Sequence, residues 1–567
     1  MNQNVNQTTL NSKIEYFVEG VEYFQHLTSS IQKTTRKGDF IYILGWMLDI
    51  NFNLVPDDES TKLSNLLLNA VKQGVAVRVL LWDNPLYYKK NIYAINFLNE
   101  LAENNKKFDV IALTDNVVYR PLVASKAIAS LKSKLPIPKN WFGDLFIELL
   151  TSVIDLPSSL APIKKLFAID NVASHHEKVV LIQNADGLRA YCGGMDINKN
   201  RLFSQFDVQC CIHSDGAEQI FKKFSVRWKG IEYKWNNNPL TRHFKLPKIY
   251  FPQAMYNPDN NNEYPMMGVI GTYNTPKNFR KNINDRTAKR TLLAIIENTK
   301  DYIYIEDQYI ISLEIAKALH KALRKGLKKL IILTQDSELA KPDLIFPYRA
   351  RRKFYQTLKY GRIPNRNTLE KTSSIAEFDK KVRVYQIAPA HKQFYSWREV
   401  VHSKLLIADD EIMTMGSFNC NYRSLEVDSE TGIVIYEPNK DSVFSIRNFK
   451  RKLFSRYYLG PLRNDKEIAD LMEDPFNWPD VTITICPLNF FGEDKDIEIN
   501  KFLRAYAARE SKMMDEASKN PKYDQLSNIP SLNIIEKCDE LAKYTLTKEF
   551  EDLVWDIVEA HYGPKNL

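Results

Sequence analysis

The chain of 567 residues is poor in the features that mark several common protein classes. Its six cysteines, at Cys192, Cys210, Cys211, Cys420, Cys486 and Cys538, form no C-x-x-C pair, which excludes a disulfide scaffold and a zinc ribbon. No run of about 18 apolar residues occurs, so a membrane-spanning helix is excluded. The first residues, Met1-Asn2-Gln3-Asn4-Val5-Asn6-Gln7, carry neither the charged nor the apolar region of a signal peptide. The expectation is a cytoplasmic or peripheral membrane protein, with leaderless secretion left open. A dense basic tract is missing too: 78 basic against 69 acidic residues give a net charge of +9. That mild excess suits an anionic partner without choosing between membrane and nucleic acid. What is abundant is core material, 44% hydrophobic side chains beside 26% charged, which excludes a disordered or fibrous chain.

Helix-like and strand-like patterns alternate along the chain. An amphipathic stretch near residues 13 to 34 precedes Phe40-Ile41-Tyr42-Ile43-Leu44-Gly45-Trp46, and a second from Lys62 to Lys72 precedes Val75 to Trp82. This reads as βαβ, hence an α/β layer fold. The same order returns with a helix from Arg286 to Asn298, the run Tyr302 to Ile305, a helix from Leu313 to Arg324 and the run Leu330 to Thr334. Between the two copies the Asn- and Pro-rich passage Asn236 to Pro265 is turn and linker chemistry. The expected division is an N-terminal lobe over 1–240 with an insertion at about 116–172, a C-terminal lobe over 241–465, and a helical extension over 466–567.

The repeat also carries chemistry. His176-Glu177-Lys178 opens an apolar run and is followed by Gly193-Gly194-Met195-Asp196; His402-Ser403-Lys404 does the same and is followed by Asp409 and Gly416-Ser417-Phe418-Asn419. On a strand, positions i and i+2 share a face, so each half presents an imidazole beside an ammonium. About thirty residues downstream each half offers an acid, Asp207 and Glu430. Two such halves facing each other make a cationic pocket suited to phosphoryl transfer through a covalent intermediate. One histidine attacks phosphorus, the other protonates the leaving oxygen, and the lysines neutralise the nonbridging oxygens. The acids can orient the imidazoles, and neither a cofactor nor a metal is expected.

These residues resemble the phospholipase D superfamily, whose mark is a duplicated H-x-K-x-x-x-x-D followed by G-[SG]-x-[ND]. The second copy matches in full, with six residues between Asp409 and Gly416. The flanking Tyr304 to Tyr309, Arg423-Ser424 and Asp428-Ser429-Glu430 resemble family segments too. In the first copy His175-His176-Glu177-Lys178 and Gly193-Gly194-Met195-Asp196 resemble the H-H-x-K and G-G-x-D of phospholipases D. The departures are Gln183 in place of the motif acid, a longer spacing before Gly193, and Gln205-Phe206 ahead of Asp207. The resemblance covers about residues 15 to 460 and implies two tandem α/β/α lobes related by a pseudo-two-fold, with the active site at their interface. It also implies His176 as the nucleophile and His402 as general acid and then base. Lys178, Lys404, Asn419 and Ser417, beside Gly416, Gly193 and Gly194, would hold phosphate oxygens. Asp207 and Glu430 would orient the imidazoles, and Asp409 would support the second motif. Asp196 occupies the Asn position without an amide donor.

The implied activity is hydrolysis of glycerophospholipids to phosphatidic acid and an alcohol, with transphosphatidylation as an extension. The partner is then a phospholipid surface without obligate nucleic acid, and the chain is a monomer because it holds both motifs. The rivals are a nucleic-acid phosphodiesterase using the same pocket and a catalytically weak module that binds anionic membranes, for which Gln183 speaks. A toxin delivered into competitors' membranes would use the same chemistry. Two regions bear on substrate choice. Residues 120 to 168 place Phe142, Leu145, Phe146, Leu149, Val153 and Ile154 at helical spacing with seven basic against three acidic side chains, which fits either an anionic bilayer or a helix packed on the core. Arg349 to Arg366 interleaves basic and aromatic side chains and fits either a phosphate grip or a solvated helix face.

Overall fold

The computed structural model describes residues 10–82, 88–115, 174–203, 205–237, 246–252, 264–274, 284–334, 347–362, 375–387, 400–458, 463–478 and 483–485. The chain divides into two compact units. One comprises Met1–Val117, Ser174–Leu339 and Lys353–Cys486; the other comprises Val118–Ala173, Ala340–Arg352 and Pro487–Leu567. The helix expected around Phe142 to Ile154 and nearly all of the expected C-terminal extension lie outside the described residues.

The first unit is built on two sheets. Strands β1 (Ile14–Phe17), β2 (Phe40–Gly45), β3 (Ala76–Trp82), β4 (Val110–Asp115), β5 (Val179–Asn184), β6 (Gly187–Gly193) and β7 (Gln209–His213) form the first, in the order β1-β7-β6-β5-β2-β3-β4. Strands β8 (Met266–Asn274), β9 (Tyr302–Asp307), β10 (Lys329–Thr334), β11 (Val382–Ile387), β12 (Lys404–Ala408), β13 (Ile412–Gly416) and β14 (Glu430–Tyr436) lie in the second, in the order β8-β14-β13-β12-β9-β10-β11. Strand for strand the orders match, and so do the senses: parallel for β2-β3-β4 and β9-β10-β11, antiparallel elsewhere. Helices repeat as well: α1 (Gly20–Gln32), α2 (Leu63–Lys72), α3 (Tyr88–Asn104) and α4 (Ser214–Asn237) recur as α5 (Thr287–Asn298), α6 (Leu313–Lys325), α7 (Pro347–Tyr360) and α8 (Ile446–Ser455). The duplication legible in the sequence is therefore a duplication of topology.

Local chemistry explains the elements. In α6 the Ser312 side chain accepts from the Ile315 N–H, Gly326 ends the helix at φ 119°, and Ile315, Ala316, Leu319, Ala322 and Leu323 fall on one buried stripe. Strands β2 and β5 are buried along their whole length, the mark of strands covered on both faces.

The expected boundary at 240/241 lies outside the described residues, between the end of α4 at Asn237 and the start of β8 at Met266, and the core is continuous across the two sheets. One apolar cluster runs from Phe40, Tyr42 and Val208 through Phe224 and Trp228 of α4 to Tyr304, Leu405, Ile433 and Phe454. This unit does not end at 465. Met472 and Trp478 join the same cluster, and Ile483–Ile485 adds an antiparallel strand to β11. In the Arg349–Arg366 stretch, Phe354, Tyr355 and Leu358 are buried, so two of its interleaved aromatics serve the core rather than a stacking surface. No helix among the described residues is long and apolar enough to cross a membrane.

Candidate active site

His176 and Lys178 lead into β5, and His402 and Lys404 lead into β12. Each entry segment is fastened to the other half. The His176 N–H donates to the Ser429 carbonyl at 3.0 Å, and the His402 N–H donates to the Phe206 carbonyl at 2.7 Å. Val400–Val401 pairs with Gln205–Phe206, and His175 bridges to Ser429. The partner segments are those that precede the two acids, so each imidazole meets the carboxylate of the opposite half.

His176 Nδ1 lies 3.2 and 3.1 Å from the two Glu430 carboxylate oxygens and 3.0 Å from the Ser417 carbonyl. A carbonyl and a carboxylate only accept, so Nδ1 carries the proton and Nε2 keeps a free lone pair. His402 Nδ1 donates to Asp207 Oδ2 at 2.7 Å, which leaves its Nε2 for the substrate in the same way. Each lysine hooks back onto its own motif: Lys178 Nζ donates to the His176 carbonyl at 2.8 Å, and Lys404 Nζ donates to that of His402. Lys404 Nζ also lies 3.2 Å from His402 Nδ1. The histidines are the parts that reach solvent, with 15% of the His176 side chain and 9% of that of His402 exposed.

Burial dominates the electrostatics. It drives both imidazoles well below their ordinary pKa, with Lys178 and Lys404 adding to the effect at His176 and Arg201 and Lys404 adding to it at His402. Burial also lowers Lys404 to about 7 and raises Asp207 to about 6, the latter against the pull of Lys404 and Arg201. Glu430 is raised well above its ordinary value by burial and by Asp428. Groups pushed towards neutrality from both sides are set for proton transfer near neutral pH.

The glycine motifs make room. A Cβ on Gly194 would lie 2.0 Å from Asp207 Oδ1, so only glycine leaves that carboxylate its place under His402. At Gly416 the added atom would meet the Gly432 Cα at 2.7 Å, where β13 and β14 approach closely. Gly194→Ala is expected to retain the fold's melting behaviour within a few degrees yet lower turnover by about 100-fold or more, because a displaced clamp misplaces the imidazole. Circular dichroism beside steady-state rates checks this.

Other sequence-selected residues take different places. The Ser417 hydroxyl donates to Glu430 and accepts from the Thr431 N–H at 3.1 Å, so it positions the acid. Asn419 is buried, its Oδ1 without a partner among the described residues; the next residue, Cys420, is anchored by its N–H to Asp307 at 2.7 Å. Asp307 pairs in register with Lys404, which places the Asn419 loop at the reacting end. Asp196 accepts from the backbone N–H groups of Trp46 and Met47 at 3.2 Å each, and its other oxygen lies 3.1 Å from Arg201 and 3.5 Å from Lys178. It holds the first lysine and the end of β2.

Asp409 does not join the cluster. It follows β12, at the opposite end from Lys404, where it accepts from the N–H groups of Lys300, Asp301 and Tyr302 at 3.1, 3.0 and 2.8 Å and so fastens the start of β9. Gln183 holds the corresponding place on β5, paired with Phe40 at the start of β2. The missing first-motif acid is thus missing from a strand end, away from the imidazoles.

Three further features surround the motifs. Arg201 is buried, and its Nε and Nη1 have no partner among the described residues. Trp46 stands 6.0 Å from the His176 ring, stacks with Trp82 at 5.9 Å, and has Lys178 Nζ 5.9 Å from its centroid. Behind the first motif, Arg227 binds Glu177 and Asp115, Asp115 lies 3.1 Å from His175 Nε2, and the Thr431 hydroxyl donates to Glu177 at 3.1 Å. Arg227 belongs to the stretch from Asp207 to Trp228 that resembles the family, but the patterning of β4 hides Asp115, and nothing in the spacing announces the network.

A family model described as cardiolipin synthase, phospholipase D-like domain, matches residues 292–452, the span that carries the second motif. Phospholipase D A of Dictyostelium discoideum is 22% identical over 447 residues, covering 74% of this chain and 33% of the relative. The chain is thus similar to the phospholipase D superfamily. A cardiolipin synthase of Staphylococcus epidermidis is 23% identical over 269 residues, 46% of this chain and 44% of that relative. The chain spans less than half the length of these two curated relatives. Among solved structures, a phosphatidylserine synthase of Haemophilus influenzae resembles it with a TM-score of 0.48 at 11% identity, over 90% of this chain and 96% of that one.

Proposed function

We propose that this chain is a phosphodiesterase of the phospholipase D superfamily that hydrolyses glycerophospholipids to phosphatidic acid and an alcohol, with transfer to other alcohols as the competing outcome. The carrying observation is the pair of crossed dyads, each with Nδ1 held by a carboxylate of the other half and a lysine bonded to the same histidine's carbonyl. In this reading the two lobes face each other across a pseudo-two-fold, and His176 Nε2 attacks phosphorus while the P–O bond to the headgroup alcohol breaks. His402, in the form that carries a proton at Nε2 and that the Asp207 carboxylate favours against the effect of burial, gives that proton to the departing oxygen. His402 then takes a proton from water, the water oxygen bonds to phosphorus, and the P–N bond to His176 breaks. Asp207 stabilises the imidazolium of His402, while Lys178, Lys404, Asn419 and the open edge of Arg201 hold the nonbridging oxygens. His176, bonded only to acceptors at Nδ1, suits the nucleophile; His402, with a carboxylate at 2.7 Å, suits the acid. The stacked pair Trp46 and Trp82 offers an apolar wall beside the nucleophile, and similarity to a phospholipase D and a cardiolipin synthase favours lipid over nucleic acid.

The test is headgroup release from phosphatidylcholine, phosphatidylethanolamine and phosphatidylglycerol vesicles, with and without an added primary alcohol, beside digestion of single-stranded DNA. Wild-type release that His402→Asn lacks supports the lipase, and a phosphatidyl-alcohol product marks transfer. DNA cleavage without lipid turnover would replace the lipid substrate by nucleic acid.

A further inference from the structure

At the far end of β7 from Asp207, four side chains with metal-ligating atoms converge on one edge of the first sheet. β1 and β7 pair Glu15 with Cys211, His213 follows on the same face, and His26 of α1 approaches that face. Glu15 Oε1 lies 2.6 Å from His213 Nε2, Glu15 Oε2 lies 3.6 Å from His26 Nε2, and Cys211 Sγ lies 3.8 Å from His213 Nε2. The ligating atoms of Glu15, Cys211 and His213 all fall within 4.8 Å of one another. Around a tetrahedral zinc ion, bonds of about 2.0–2.3 Å separate neighbouring ligand atoms by roughly 3.3–3.6 Å. Two of the three spacings are already near that span, and the Glu15–His213 pair needs to open by less than about 1 Å.

A second observation points the same way. The Tyr191 hydroxyl donates to Ser30 Oγ at 2.7 Å and therefore accepts the Nδ1 proton of His26 at 2.9 Å. His26 then turns an unprotonated Nε2 towards the Glu15 carboxylate, two acceptors facing each other with no proton between them, which a cation would reconcile. An outer hydrogen bond of this kind is what ligating histidines ordinarily make. The cations already near, Lys13 at 3.8 Å from Glu15 and the guanidinium of Arg189, are oriented elsewhere in part: Lys13 is 44% exposed, and Arg189 binds Asp186 at 3.1 Å. Cys211 is buried while Glu15 and His26 are about one-third exposed, so the cluster has a sulfur floor and an open side for entry.

We propose that Glu15, His26, Cys211 and His213 form a site for a zinc-class divalent metal that fastens β1 and α1 to β7. Four protein ligands make a closed, structural site, independent of the reacting histidines. Sequence spacing conceals it because the ligands come from three separate segments.

The experiment uses the full chain without an affinity tag, stripped by a chelator, then titrated with Zn²⁺ against a chromophoric competitor and with Co²⁺ in the spectrophotometer. The expected result is one tight equivalent, a thiolate-to-cobalt charge-transfer band, and a zinc-dependent rise in melting temperature. Tyr191→Phe should weaken zinc about 10–100-fold, and Glu15→Gln or His213→Ala by more than that. Cys211→Ser should lose the band, whereas Cys210→Ala, whose side chain faces the opposite core, should keep it. Glu15 is partly exposed, so its variant tests the site without endangering the fold. A band that survives Cys211→Ser, or unchanged zinc affinity in Glu15→Gln, overturns the proposal.

Discussion

His176→Asn is expected to reduce phosphodiester turnover by at least about 1,000-fold, and His402→Asn by a comparable factor, since catalytic groups that act as a unit each carry nearly the whole effect. The two losses should separate when the leaving group no longer needs a proton. With a nitrophenyl phosphodiester, whose phenolate departs unaided, His402→Asn should still release one equivalent of nitrophenol in a burst and stall as a phosphohistidine. His176→Asn should show no burst, because the atom that attacks is gone. Rapid mixing and acid- and hydroxylamine-sensitivity of the trapped phosphate check this. A burst from His176→Asn and none from His402→Asn would exchange the two roles. Asparagine is smaller than histidine and can set its amide nitrogen where Nδ1 lies, keeping the bond to the carboxylate, so the packing around β5 and β12 should stand at either place.

Asp207→Asn is expected to cost about 1,000- to 10,000-fold in the rate of ordinary substrates, as when a carboxylate that fixes a catalytic imidazole becomes an amide. Because the dyads cross, this change in the first half should disable the histidine of the second: the nitrophenyl burst survives in Asp207→Asn and is slowed in Glu430→Gln. The pH dependence carries the same signature. Asp207, raised to about 6, is a carboxylate only above that value, so activity is lost as pH falls through it. Lys404, lowered to about 7, is an ammonium only below that value, so activity is lost as pH rises through it. The profile of kcat/KM should be a narrow bell with its maximum between these values, the limbs belonging to the Asp207–His402–Lys404 cluster as a whole. Asp207→Asn should remove the acidic limb. A broad plateau extending well above the Lys404 value would show that the ammonium is not required.

The parts legible in the sequence were those with a local period. The His-x-Lys stretches, the glycine pairs and the repeated βαβ order all rest on residues a few places apart, although His176, Lys178 and His402 stand at the entry to a strand rather than within one. The pairing of imidazoles with acids was not legible in this sense. His176 and Glu430 are 254 positions apart, His402 and Asp207 are 195 apart, and only the topology decides that each acid serves the other half. Arg201 was hidden for a related reason, lying in a short turn of helix with no repeat of its own. Motif membership also misled: Asp409 belongs to the signature yet anchors a strand start, and Gln183, which had spoken for a weak binding module, stands at a position remote from the imidazoles. Ser417, chosen for phosphate, spends its hydroxyl on Glu430.

Crossed dyads also constrain how such a gene can drift after duplication. Ordinarily one copy of a doubled unit is free to decay while the other keeps the work. Here a mutation at Asp207 is felt at His402 and a mutation at Glu430 is felt at His176, so neither copy can become a passive relic without silencing its twin. Change is confined to what the exchange does not touch, and the difference between Gln183 in the first copy and Asp409 in the second is of that permitted kind.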